Sequence, residues 1–325
     1  MTKKKMGLPF YRYEEQIPTD DFEEIIYEKD GPIGRIILNE PEKRNPLSYA
    51  RLCELAMAFQ AMEMDPDIRV IILKGAGPVF SSGYDLTPGK AAANNPNPDD
   101  PRQAYGSPDV GDPPGGVYID PDLDGPYFYK YHWFSREVYF RMFDLMKPII
   151  AQIHGYCLAG ATHLAGFSDL RYVADDAQIG FPVVKNLTIE GFQYEIWLMG
   201  ASKAKHYLLT GEPMSGKEAS DCGWASKSFP ADELEERTEQ IARNMAQTDP
   251  VHLMKAKRTT NRQLEFMGFK TAMQWSMDVH MVGGGRRGMS EQQSEFWRLS
   301  GEEGLRAAFD WRDTKFGIEY KHAED

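Results

Sequence analysis

Several things are scarce in this 325-residue chain, and each scarcity excludes something. No run approaches the ~18 consecutive apolar residues of a membrane span. The basic opening, MTKKKMGLPFYRYEEQIPTDD, lacks the apolar stretch that would make it a signal peptide. Cysteine occurs three times, at Cys53, Cys157 and Cys222, too far apart for a disulfide framework or a metal-ligand spacing. These features together predict a reduced, cytoplasmic setting. Bases are outnumbered, 37 against 49 acids, and the net charge of −12 argues against broad binding to nucleic acid or an anionic membrane. An anionic ligand would need a local basic patch. No GxGxxG fingerprint, phosphate loop or HExxH is present, so neither a separate cofactor nor a metal is expected. No fixed-period repeat implies a solenoid.

What is present is ordinary globular material, 42% hydrophobic and 26% charged, enough for a sizeable core in about two domains or one domain with large additions. Residues 1–21 read as an irregular N-terminal extension. FEEIIYEK (22–29) and GRIILN (34–39), joined at Asp30-Gly31-Pro32, predict a β-hairpin. Ser48 caps a helix with Leu52, Leu55, Phe59 and Met62 on one face, which Asp65-Pro66 stops. IRVIILK (68–74) reads as a buried strand. Residues 87–126 hold nine of the 21 prolines with seven aspartates and six glycines. Such a segment reads as a lid, a binding loop or a disordered insert. The aromatic cluster Tyr127, Phe128, Tyr129, Tyr131, His132, Trp133 and Phe134 predicts an ordered loop at its end.

Further strands follow at IIAQIH (149–154), DLRYVAD (169–175) and AQIGF (177–181). Beyond about residue 190 the pattern is helical, with a capping box at Ser215–Glu218 and a short helix closed by Gly223. An amphipathic helix covers 231–247, and another runs from Asp249-Pro250 to about Val282. Gly283–Gly285 is a flexible break before a last helical stretch. The organisation expected is a core over 22–215 carrying the 87–126 insert, then a helical region over 216–325.

Two strand-end turns carry chemistry, Phe80–Leu86 and His154–Ala161. Each exposes backbone N–H groups, and the second enters a helix whose N-terminus adds partial positive charge. Two such donors aimed at one point form an oxyanion hole for a carbonyl gaining negative charge. Singly, either is equally a tight connection.

The order of these turns resembles that of the crotonase (enoyl-CoA hydratase/isomerase) superfamily. The likeness covers roughly residues 22–282, with a final match from Glu303-Gly304-Leu305 to Phe316. It rests on Asn39-Glu40-Pro41-Glu42-Lys43-Arg44-Asn45, on Phe80–Asp85, on Lys147-Pro148 with the strand to Gly155, and on Thr210–Ala219. The resemblance implies an α/β spiral of ββα units with a C-terminal helical trimerisation region, a homotrimer or dimer of trimers, and an acyl-CoA substrate. It implies oxyanion donors at the N–H groups of Tyr84 and Gly160. It sets Lys43 and Arg44 at the adenine and phosphate end of CoA, flanked by Ser82, Asp85 and Leu86; a plain solvated turn is the alternative for the two bases. Arg312 and Lys315 fall where relatives contact CoA phosphates.

The chain departs from the family's hydratases at both of their glutamates: His163 and Val183 stand at those positions. His163 is the replacement expected to move protons, or else a core histidine. Glu190 lies where several other members place a carboxylate, or else simply faces a helix N-terminus. Glu195, one helical turn onward, is open to the same two readings, with the surface the expected place. Tyr84, Tyr127, Tyr129, His132 and Trp133 are expected around the acyl group. Arg258 and Arg262 read as surface or interface pairs. The reading is hydratase or lyase chemistry through a thioester enolate on a bulky or cyclic acyl-CoA. Its alternatives are hydrolytic C–C cleavage of a cyclic β-oxoacyl-CoA, or a non-catalytic acyl-CoA-binding protein.

Overall fold

The computed structural model describes residues 17, 19–86, 125–282 and 290–317. Its strands are β1 (Ile25–Asp30), β2 (Ile33–Leu38), β3 (Val70–Gly75), β4 (Ile149–Ile153), β5 (Tyr156–Leu158), β6 (Leu170–Ala174), β7 (Gln178–Gly180), β8 (Met214–Ser215) and β9 (Lys227–Phe229). The helices are α1 (Tyr49–Met64), α2 (Gly125–Asp144), α3 (Gly160–Gly166), α4 (Glu195–Thr210), α5 (Gly216–Asp221), α6 (Leu234–Met245), α7 (Pro250–Phe266), α8 (Phe269–Val282), α9 (Glu291–Glu302) and α10 (Leu305–Thr314).

A six-stranded sheet runs in the order β1-β2-β3-β4-β6-β9, and a second sheet holds β5-β7-β8. Only the β1–β2 hairpin is antiparallel in the large sheet; all its other neighbours are parallel. Parallel strands are covered on both faces and so read as continuous apolar runs. In β3, Val70 and Ile72 join Ile150 and Tyr172 under α6, whereas Ile71 and Leu73 enter the main core with Ile149, Ala151 and Val173. Strands β4 and β6 each pass after a few residues into a strand of the small sheet, β5 and β7, which pair in parallel. That repeated step from one sheet to the other makes the chain a spiral.

The hairpin, the Ser48 cap and the Ser215–Glu218 capping box form as the sequence indicates. Other expectations are corrected. The aromatic cluster lies on α2 and not on a loop; further along the same helix Val138, Tyr139 and Met142 are buried. The helix expected from Asp249 to Val282 is two helices, broken where Gly268 takes φ +86°. The last stretch is likewise two, parted at Gly304 with φ +94°. Strands β8 and β9, too short to show a period, went unread. Residues 87–124 of the insert, Gly283–Gly285 and residues 1–16 lie outside the described residues.

One buried side chain fixes α4 to α3. The Tyr194 hydroxyl donates to the Thr162 carbonyl at 2.6 Å and accepts from Trp224 Nε1 at 3.2 Å. Its ring occupies the space where a Cβ on Gly166 would stand, 2.1 Å away. Tyr194→Phe leaves the buried indole N–H without an acceptor, and urea unfolding should show a loss of about 1–3 kcal/mol.

Candidate active site

The three turns that sequence reading singled out meet in space. Ser81 N–H donates to Tyr156 O at 3.0 Å and Leu158 N–H to Ser81 O at 3.3 Å, so the 80–82 segment lies alongside β5 like an extra strand. On its other side, Ser82 N–H reaches Arg44 O at 2.9 Å, and Leu47 N–H reaches Gly83 O at 2.7 Å. Asn45 pins the junction: its side-chain amide donates to Ala76 O, Val79 O and Phe80 O while its Oδ1 accepts from Glu40 N–H. Ser81 Oγ donates to Asn45 O at 2.6 Å.

Gly83 has φ +95°, and a Cβ there would stand 2.6 Å from Leu158 O and 3.1 Å from Gly160 N. The two candidate oxyanion turns therefore touch. Gly160 opens α3, where helix geometry leaves the first N–H groups without an intrahelical acceptor. Ala159, just before it, holds the unusual φ of +48°. A Cβ on Gly160 would lie 2.7 Å from the Tyr84 ring, so glycine at 160 is what lets that ring fold across the start of α3.

Folding across brings Tyr84 to His163. The Tyr84 hydroxyl is 3.3 Å from His163 Nδ1 and 3.1 Å from the Tyr139 hydroxyl. On the other edge of the imidazole, Nε2 is 2.9 Å from Glu190 Oε2. Both residues are buried, at 2% and 4% exposure. The distance is that of an ion pair, yet no well-directed hydrogen bond engages Nε2 or Glu190 Oε1. Contacts of that kind in an unliganded site tighten when substrate arrives. A proton on Nε2 leaves Nδ1 to accept from Tyr84, giving a continuous line from Glu190 through His163 and Tyr84 to Tyr139. Phe192 and Tyr139 stand edge-on to the imidazole at 5.2 and 6.1 Å between ring centres, and Phe167 stacks on Tyr139. Desolvation inside this aromatic wall raises the Tyr84 phenol above its ordinary value, with the Glu190 charge adding to it. Tyr84 thus stays a neutral donor.

His163, Glu190, Tyr84 and Gly160 thus lie together in the structure. Val183 sits on a 3₁₀ turn, Pro182–Lys185, that leads into the Glu190 loop. Lys43 and Arg44 flank the turn joined to Ser82 and Asp85, with Lys43 ion-paired to Glu40 and Arg44 in the left-handed region at φ +65°. Glu40 also receives the buried Arg51 guanidinium at 3.3 Å. Of the C-terminal cations, Arg312 is buried and bonded to Asp313 at 2.8 Å, and Lys315 lies over the Trp311 ring. Arg262 pairs with Glu265 on its own helix. The side chains of Tyr127, Tyr129, His132 and Trp133 lie outside the described residues. A groove between α1, α2 and α7, lined by Phe59, Arg141, Phe143 and Phe266 among others, contains none of the candidate site residues. No three-residue metal-ligand cluster occurs among the described residues.

Glu195 is corrected outright. It is fully buried at the first position of α4, and neither carboxyl oxygen has a partner. The helix start at Tyr194, anchored inside, turns the next side chain inward too. Burial raises its pKa well above the ordinary carboxyl value, and nearby Glu190 adds to that. Tyr139, Phe192, Asn45 and His280 were missed as contributors to the site. Asn45 alone carried a local signal, its place in the Asn39–Asn45 turn.

A carboxyl whose folded pKa exceeds its unfolded one costs stability as pH rises beyond the unfolded value of about 4.3. Glu195→Gln should therefore melt higher than the parent at pH 8, with the difference shrinking to nothing below about pH 4. Scanning calorimetry across that range checks the sign.

Comparisons with known proteins agree with this fold. The family model described as enoyl-CoA hydratase/isomerase matches residues 28–105 and 128–285. A Mycobacterium tuberculosis protein named as an enoyl-CoA hydratase, EchA13, is 34% identical over 273 residues, covering 81% of each chain. The hydroxycinnamoyl-CoA hydratase-lyase of Pseudomonas fluorescens is 27% identical over 235 residues, covering 70% of this chain and 74% of its own. A crystal structure of enoyl-CoA hydratase from Mycobacterium smegmatis superposes with a TM-score of 0.78 at 27% identity, covering 95% of this chain and all of that one. With its crotonase spiral and these matches along most of its length, the chain belongs to the enoyl-CoA hydratase/isomerase family.

Proposed function

We propose that this protein turns over a bulky, cyclic or aromatic acyl-CoA by hydratase or lyase chemistry through a thioester enolate. The N–H groups of Tyr84 and Gly160 receive the thioester oxygen, which gains charge as electrons leave the Cα–Cβ double bond. His163, held by Glu190 at Nε2, takes up at Nδ1 the proton of the Tyr84 hydroxyl as that hydroxyl removes one from the attacking water, and the proton later moves to or from the α-carbon by the same line. In the eliminating direction the same groups work in reverse. The observation that carries the reading is the buried His163–Glu190 contact of 2.9 Å, one turn inside the helix that Gly160 opens.

An imidazole oriented by a carboxylate is a general base; His163 stands at the position of one missing hydratase glutamate, and Glu190 brings a carboxylate to it from another loop. The wall of Tyr84, Tyr139, Phe167 and Phe192 supports a bulky over a straight acyl chain. The name of the Pseudomonas relative, an aromatic acyl-CoA enzyme, points the same way. The paired turns of Arg44 and Ser82 support CoA at that edge, where Lys43, Asp85 and Leu86 are neighbours. CoA is part of the substrate, and the mechanism uses no further cofactor. The exposed Phe266, Met267 and Trp275 on the C-terminal helices support a homotrimer or dimer of trimers, which we place in the cytoplasm.

The same base also suits water attack on a β-carbonyl, so ring opening of a cyclic β-oxoacyl-CoA is the second reading. The test is mass spectrometry of an acyl-CoA panel incubated in ¹⁸O water, which separates hydration, elimination and ring cleavage. On the substrate found, His163→Ala and Glu190→Gln should each lower kcat by about 10²–10⁴. Crotonyl-CoA should be hydrated poorly. Unchanged turnover in both variants overturns the assignment, and CoA binding with no turnover across the panel favours a non-catalytic protein.

A further inference from the structure

The residues on either side of Glu190 are held by a helix that follows it by some 80 residues in sequence. His280, on the last turn of α8, places Nδ1 2.8 Å from the carbonyl oxygen of Ile189 and 3.4 Å from Thr188 Oγ1. A carbonyl only accepts, so the proton on this ring sits on Nδ1. That carbonyl belongs to the Ile189–Glu190 peptide, so fixing it fixes the plane from which the Glu190 side chain departs. The residue after Glu190 is held from the same side. A Cβ on Gly191 would stand 3.2 Å from Met277 Cε and 3.7 Å from His280 Cγ, so the turn rests directly on α8. His280 is itself buried, and burial lowers its pKa. The ionisable groups acting on it are His163 from α3, which lowers it further, and Glu190 from the loop, which opposes the shift.

We propose that His280 is a positioning residue for this site: its Nδ1–H bond to Ile189, together with the seat that Met277 gives Gly191, aims Glu190 at His163. α8 therefore belongs to the catalytic apparatus without touching substrate. This rests on the reading of His163 and Glu190 as the proton-moving pair. The physical need is specific. Glu190 sits on an irregular connection between a 3₁₀ turn and α4, with no ladder or helix bond to hold its backbone. An error of 1 Å in a catalytic group costs as much as ~10²-fold in rate.

The test uses donor position as its variable. In His280→Asn the amide N–H falls near the place of Nδ1; in His280→Gln it falls near the place of Nε2; His280→Leu has none. We expect kcat to fall about 10–100-fold in the Leu and Gln variants, with KM and calorimetric CoA affinity within about threefold of the parent. The Asn variant should recover to within about fivefold. Independently of turnover, the ¹⁵N resonance of His163 Nε2 should move in the Leu and Gln variants and stay near its parent position in Asn. Parent-like kcat and an unmoved His163 resonance in the Leu variant would overturn the proposal. So would an Asn variant as impaired as Leu at equal thermal stability, since packing and not the N–H bond would then be responsible. If Leu does not fold, the contrast of Asn with Gln decides alone. Should the resonance shift as expected while Glu190→Gln leaves turnover intact, the positioning stands and the catalytic role of the pair is what fails.

Discussion

Everything distinctive about this site depends on keeping an imidazole and a carboxylate together where water does not reach. Two ionisable groups taken out of solvent lose hydration worth several kcal/mol each, and only their mutual contact and further hydrogen bonds return it. Here Glu190 meets one edge of the His163 ring and the Tyr84 phenol meets the other. The rest of the enclosure is aromatic, from Phe167, Phe192 and Tyr139. Such an enclosure strengthens whatever electrostatics it contains.

The scaffold meets that requirement by making separate segments interlock. The turn at 44–47, the extended piece at 80–84 and the β5–α3 corner share backbone hydrogen bonds, so their positions are mutually fixed. Glycine matters at two places within it. At 83 it allows the chain to approach Leu158, and at 160 it makes room for the Tyr84 ring. Tyr84 consequently serves twice, by its main chain at the candidate oxyanion point and by its side chain in the line to His163. From the opposite side, Tyr194 ties α4 to α3, and α8 seats the Glu190 loop.

A buried acid beside the candidate catalytic acid is a tension that the fold tolerates. Glu195 has no partner for either oxygen and sits near Glu190, so its charge is suppressed and the local field on Glu190 stays that of one carboxylate. Asp169, half-buried, is treated differently: Lys257 reaches it at 2.8 Å and the Ile149 N–H donates to it at 2.7 Å. Side by side, the two carboxyls contrast a structural pair, satisfied on both sides, with a group left without partners near the chemistry.

Local patterns in the sequence determined the hairpin, the Ser48 and Ser215 caps, the buried strands and the two glycine-bearing turns, because alternation, capping and turn chemistry are set by neighbours along the chain. His163 and Glu190 were legible as candidates only through the resemblance to the family, which marks their positions. What the tertiary structure alone decided is who meets them. Tyr139 reaches the site from α2 and His280 from α8, each placed by packing between helices distant in sequence. Glu195 reads as one more polar residue on an amphipathic helix until the anchoring of Tyr194 sets which way that helix faces. Sequence fixes the period of an element, whereas the side it turns inward is settled by the neighbours that the fold brings against it.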